Sequence, residues 1–158
     1  MSLVVEDGTG RADAESYVAL AFADDYHAKL DNAAWAAAGD TTREAALRRA
    51  TQYLDTRYTF AGAPLTTTQA LAWPRDIAPW PVRAVQNATC EAALRALDGA
   101  LYTDVADAPV TQETVGPISV SYGVGQNGGQ TRLTIIDDML RALLGGIGRM
   151  TLRVERAS

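Results

Sequence analysis

The stretch Val82-Arg-Ala-Val-Gln-Asn-Ala-Thr-Cys-Glu-Ala-Ala-Leu-Arg-Ala-Leu-Asp-Gly-Ala-Leu101 decides the fold. Arg83, Asn87, Glu91 and Arg95 recur every fourth residue, so a helix gathers them into one narrow stripe. Nearly everything else is Ala, Val, Leu or Cys. A helix with so thin a polar face is central in a bundle or covered by a neighbour. Pro81 suits its first turn. The pattern therefore predicts a helix over 82–101, with alanines that let other helices approach closely.

Two amphipathic segments precede it. Leu20, Ala23, Tyr26 and Leu30 fit helical spacing and predict a helix over 20–30, with Asp25 and Lys29 as an i,i+4 surface pair. Asn32 to Gly39 is a connector, about one turn, carrying Trp35. Thr41-Thr-Arg-Glu44 reads as a capping box opening a second helix to about Tyr58. Its apolar stripe is Leu47, Ala50, Leu54 and Tyr58. Phe60 to Pro81 is a long connection that holds Ala70-Leu-Ala-Trp-Pro-Arg75 and Trp80 between two prolines. Proline keeps regular helix out of it. A connection of ~20 residues is uncommon in a compact domain, and is often functional or covered by a partner.

Downstream the period changes from helical to alternating. Val110 to Val115 and Ile118 to Tyr122 read as two strands about Gly116-Pro117, most simply a hairpin. Ile118, Val120 and Tyr122 share one face. Gly123 to Gln130 is a glycine-rich loop. A fourth helix is predicted over 135–144, with Thr134 and Asp137 as a cap-like start and Gly145-Gly146 as its stop. Arg149 to Arg156 alternates again, with Met150, Leu152 and Val154 on one face, as an edge strand or arm. The whole reads as mainly α with a β-hairpin (α+β): a small bundle of about four helices, the hairpin before the last one. It forms one domain over 1–158, with an N-terminal arm over 1–13 and a C-terminal arm over 147–158.

Composition narrows the chemistry. The chain has 158 residues, a net charge of −5, one cysteine and one histidine. An acidic chain lacks the bulk basic footprint of nucleic-acid binders. Cys90 alone allows neither an internal disulfide nor a cysteine-based zinc site, and His27 alone gives no histidine pair. No stretch approaches the ~18 apolar residues of a membrane span. The first ten residues do not read as a signal peptide, so a soluble, cytosolic product is expected.

Local motifs add little. Gly123-Val-Gly-Gln-Asn-Gly128 matches G-x-G-x-x-G but lacks the surrounding βαβ unit. Asp24-Asp25 and Asp137-Asp138 point about 100° apart on a helix, so neither pair chelates a metal alone. Nothing like G-x-S-x-G supports a triad around His27. No catalytic, metal-binding or cofactor-binding residues are expected, and the chain reads as a non-enzyme. Trp73, Pro74, Arg75 and Trp80 stand out: Trp and Arg favour interfaces, stack on bases, or fold a loop onto its helices.

Taken in order, several segments resemble a family. They are Val5-Glu-Asp-Gly-Thr-Gly10, Ala14-Glu-Ser-Tyr-Val18, Ala23-Asp-Asp-Tyr-His27, Trp35, Arg43-Glu-Ala-Ala-Leu-Arg-Arg-Ala-Thr-Gln-Tyr-Leu-Asp55 and Gln69-Ala-Leu-Ala-Trp-Pro-Arg75. Val82-Arg83, Cys90-Glu91 and Val115-Gly-Pro-Ile118 complete the series. Together they resemble the head–tail connector adaptors, or head-completion proteins, of tailed phages, a family often labelled DnaT-like single-stranded DNA-binding.

The resemblance covers nearly the whole chain. It implies a mostly helical structural virion protein. Such adaptors ring the portal, commonly in twelve copies, extend the DNA channel and carry the next neck or tail protein. It implies portal, neighbouring copies and the next neck or tail component as partners, at the head–tail junction after assembly in the host cytoplasm. Genomic DNA would pass without sequence-specific binding. No cofactor and no membrane are implied. Residues assigned to protein interfaces on this expectation are Trp73, Pro74, Arg75, Trp80, Ile118, Val120, Tyr122, Met150, Leu152 and Val154. The alternative expectation is single-stranded DNA binding through Arg48, Arg49, Arg75, Trp73 and Trp80.

Overall fold

The computed structural model describes residues 2–101, 112–115, 118–121 and 133–145, the two four-residue pieces by backbone alone. The helices are α1 (Leu20–Lys29), α2 (Ala33–Ala37), α3 (Asp40–Arg57), α4 (Arg83–Ala96) and α5 (Thr134–Leu140), the last running into a 3-10 turn at Arg141–Leu143. The described chain is mainly helical. Helix α4 is the centre: α3 and α5 make the most extensive contacts with it, and α1 packs on it too. Val85, Ala88, Cys90, Ala92 and Ala93 are fully buried there, as the thin polar stripe requires.

That stripe is solvated at Arg83 but not at Glu91. Glu91 is buried, and it accepts a hydrogen bond from Tyr26 of α1 at 2.7 Å and an ion pair from Arg95 at 2.8 Å. The polar side chains of α4 therefore carry the α1 contact. Helix α4 is also shorter than the pattern predicts. After Ala96 the chain tightens, with Leu97 N–H reaching the carbonyls of both Ala93 and Leu94 and Asp98 N–H that of Arg95. Asp98-Gly99 then leaves the helix.

The expected caps are not used. Helix α3 starts one residue before the predicted box, at Asp40, with Gly39 as its cap residue and no side-chain cap bond. Arg43 N–H bonds the Gly39 carbonyl at 2.9 Å, and Asp40 places negative charge in the first turn. Thr134 likewise lies inside α5, capped by Leu133. The last helix stops early because Leu144 is taken into an antiparallel bridge with Phe60. Ala61 N–H bonds the Leu143 carbonyl at 2.9 Å and Gly145 N–H that of Thr59 at 3.1 Å.

Gln112–Val115 (β1) and Ile118–Ser121 (β2) pair antiparallel, Gln112 opposite Ser121 and Val115 opposite Ile118. The expected hairpin is represented among the described residues by this backbone pairing alone. Gly116-Pro117, Tyr122, the Gly123–Gly128 motif and the arm with Met150, Leu152 and Val154 lie outside them, as do the side chains of Ile118 and Val120.

Trp73 is fully buried, its ring edge-on to Phe60 at 5.6 Å between centroids. Trp73→Ala should lower unfolding free energy by about 3–5 kcal/mol, read by urea titration with the helical signal retained in zero denaturant.

Candidate functional site

The residues singled out from the sequence converge on the 60–81 connection, and its side chains explain why it holds one shape. Asp55 on α3 points its carboxylate at the loop. One oxygen accepts the Tyr17 hydroxyl in a short hydrogen bond, and the other accepts Ala72 N–H at 3.1 Å. The Tyr17 oxygen in turn accepts Trp73 N–H at 3.2 Å. The same Tyr17 packs its ring on Trp80, 5.7 Å between centroids.

Arg75 closes the loop on itself. Its guanidinium donates to the carbonyls of Ala61 at 2.8 Å, Ala72 at 3.1 Å and Gly62 at 2.6 Å. A fork of fixed donors suits three carbonyls held at different points of one turn. Gly62 sits at φ +77°, and a Cβ there would overlap Asp76 and Ile77, so only glycine fits. Gln69 braces the other side, accepting Thr66 N–H at 2.8 Å and donating to the carbonyls of Leu71 at 2.8 Å and Pro74 at 3.0 Å.

The N-terminal arm is tied to the same loop. Glu6, only 3% exposed, accepts the backbone N–H groups of Gly8, Gly10 and Arg11 at 2.8, 2.9 and 3.0 Å. The arm then meets the connection where Ala70 N–H bonds the Arg11 carbonyl at 2.9 Å. The sequence reading placed Glu6, Tyr17 and Asp55 within the resembling segments but gave them no role. A carboxylate two and four residues ahead of glycines was the only available signal for Glu6.

These placements correct the interface expectation for the loop. Trp73 and Pro74 are buried inside the monomer and present no face to a partner. Arg75 is half-buried with its donors committed, and Trp80 is partly covered by Tyr17 and Gly8. The same facts reshape the DNA expectation. Arg48 pairs with Glu15 at 3.1 Å. Of the five residues assigned to a DNA groove, Arg49 alone is exposed. It lies on a groove of about 650 Å³ with Gln52, Tyr53, Thr56 and Gly99 to Leu101.

His27 and Cys90 are internal as well. His27 is 1% exposed, and burial lowers its pKa from the ordinary imidazole value. Burial pushes the Cys90 thiol up to about 12, which keeps it protonated. No cluster of three metal-ligating side chains occurs among the described residues. No described helix is long and apolar enough to cross a membrane.

Burial raises the Asp55 pKa to about 6, against the lowering pull of Tyr17, Ala72 and Arg75. The fold therefore holds this proton more tightly than the unfolded chain does. Its contribution to stability is full below the ordinary carboxylate range and is lost as pH rises through about 6. Asp55→Asn should remove on the order of 3 kcal/mol of this decline. The check is unfolding free energy at several pH values: wild type should lose stability relative to the variant from about pH 4 to about pH 7. A pH-independent difference would refute the assignment.

No curated protein and no solved structure matches the chain. Over residues 1–157 it matches the family described as "Putative DnaT-like ssDNA binding protein". The chain belongs to that family.

Proposed function

We propose that the chain is a structural, non-catalytic assembly protein of a tailed-phage particle. In this reading it is a head–tail connector adaptor, ringed in about twelve copies between the portal and the next neck or tail protein. The observation that carries the reading is where the resembling residues go. Glu6, Tyr17, Asp55, Trp73 and Arg75 all serve inside the monomer, in one hydrogen-bonded and packed set. A resemblance spent on internal packing marks a shared scaffold rather than a shared binding groove.

Cation bookkeeping supports the same reading. Arg11, Lys29, Arg43, Arg48, Arg95 and Arg141 pair with carboxylates, and Arg75 with carbonyls. Cations already neutralised add little to phosphate attraction, which drives nonspecific nucleic-acid binding. An acidic ring would let genomic DNA pass without holding it.

The second reading is single-stranded DNA binding. The family description names it and supports it more directly than it supports the adaptor. It needs cations and aromatic faces other than Arg48, Arg75 and Trp73; Arg49 and Arg83 are exposed among the described residues.

Two measurements separate the readings. On the adaptor reading, tagged protein from particle-producing cells brings down portal, and electron microscopy of the eluate shows stacked rings or labelled necks. Oligonucleotide affinity stays weaker than about 100 µM at physiological salt. Nuclease-sensitive nucleic acid in the eluate without portal, with affinity that falls steeply with salt and is cut by Arg49→Glu, would replace the adaptor with the DNA-binding reading. Deleting residues 147–158 should abolish ring assembly while the monomer keeps its helical signal and melting transition. A truncated chain that still assembles would refute the role given to the arm.

A further inference from the structure

His27 sits where three helices meet, and its two ring nitrogens have different jobs. Asn32 Nδ2 is 2.9 Å from Nδ1, and the Cys90 carbonyl is 3.0 Å from Nε2. An amide NH2 only donates and a carbonyl only accepts. The ring is therefore neutral, with Nδ1 as acceptor and its one proton on Nε2. Through it α1 is tied to the backbone of α4, and the corner after α1 is tied to α1. Trp35 of α2 stacks on the imidazole at 4.5 Å and Tyr26 meets it edge-on at 5.1 Å.

The corner itself is held in an unusual conformation. Asp31 has φ +55°, a left-handed value that asparagine and aspartate tolerate and most residues avoid. A cleft of about 420 Å³ lined by Asp24, His27, Asp31, Asn32, Trp35 and Arg43 opens onto it and admits water and protons. Helix α2 is five residues long, too short to hold its place without Trp35.

We propose that this corner is an acid-sensitive latch: protonation of His27 at Nδ1 turns the acceptor of the Asn32 amide into a donor and loosens residues 31–38 from α1. The charged groups around the ring set the balance. Asp24 on α1 and Glu91 on α4 favour the imidazolium, but both are already occupied. Asp24 takes Trp35 Nε1 at 2.8 Å and Arg43 of α3 at 2.7 Å, and Glu91 takes Tyr26 and Arg95. Asp31 is exposed at the cleft edge, and the Cys90 thiol is uncharged. Burial opposes the charged ring more than these carboxylates favour it, so the His27 pKa falls below the ordinary value. The neutral ring's contribution to stability is full above the ordinary imidazole pKa and is lost as pH falls from there through the lowered pKa of the folded state. The latch stands whichever of the two functional readings holds.

The chain has one histidine, so an imidazole NMR titration reports His27 without assignment ambiguity. The midpoint should lie below that of a histidine peptide in the same buffer. After correction for the intrinsic, base-catalysed rate of each amide, the exchange of residues 31–38 should rise about tenfold or more from neutral pH to about pH 5, while α3 and α4 stay protected. Asn32→Asp supplies an acceptor for the new proton, and should raise the midpoint and cancel the rise. A midpoint at or above the peptide's, or unchanged exchange in the corner, would overturn the latch. The same rise in His27→Gln would also overturn it, by placing the response on Asp24 or Glu91.

Discussion

The Asp55 carboxylate is the constraint on which the rest of the body depends. It stands on α3 inside the structure, and burying a carboxylate without partners costs several kcal/mol or forces protonation. Its partners come from two distant parts of the chain: Tyr17 from the segment before α1, and Ala72 N–H from the long connection. The Tyr17 oxygen then takes Trp73 N–H, so one buried acceptor organises a relay of donors. Removing any member strands the others, which is why the segment, the helix and the loop fold as a unit.

From that node the loop's behaviour follows. Twenty residues without regular helix would ordinarily sample many shapes. Here Trp73 is driven into the core beside Phe60, and the backbone on either side is fixed by Asp55 and by the Arg75 fork. Where the loop dips into the core at Trp73 and Pro74, its backbone polar groups must find partners. Side chains of the loop itself, Arg75 and Gln69, supply many of them. The outer face left over carries Leu65 and Ile77, 53% and 42% exposed, on a segment already rigid. Rigid exposed apolar groups lose little entropy on contact, which suits a protein that works by docking.

The bundle was legible from the sequence because it rests on periodicity. The thin polar stripe of α4 announced a central helix, and the apolar stripes of α1 and α3 announced its neighbours. Helix ends were read less well. The hydroxyls at Thr41 and Thr134 suggested caps, but hydroxyls also sit within first turns, and the decisive bonds were backbone ones. The roles of Trp73 and Arg75 were legible only as a choice. The residue types that make interfaces and stack on bases are those that close a loop, and burial alone separates these uses. The roles of Tyr17 and Asp55 had no pattern to announce them because their partners lie 17 to 56 residues away and follow no period.

The acidic composition takes on a different meaning once the pairing is known. In a chain of net charge −5, the arginines could still have formed a local groove. Most in the described body instead hold carboxylates or carbonyls within their own fold. They act as structural cross-links, with planar forks that fix geometry rather than free charges that attract phosphate. Among the described residues, the cations left exposed without a carboxylate partner include Arg49 and Arg83. That distribution of charge, more than the total, sets how many cations the described body leaves free for phosphate.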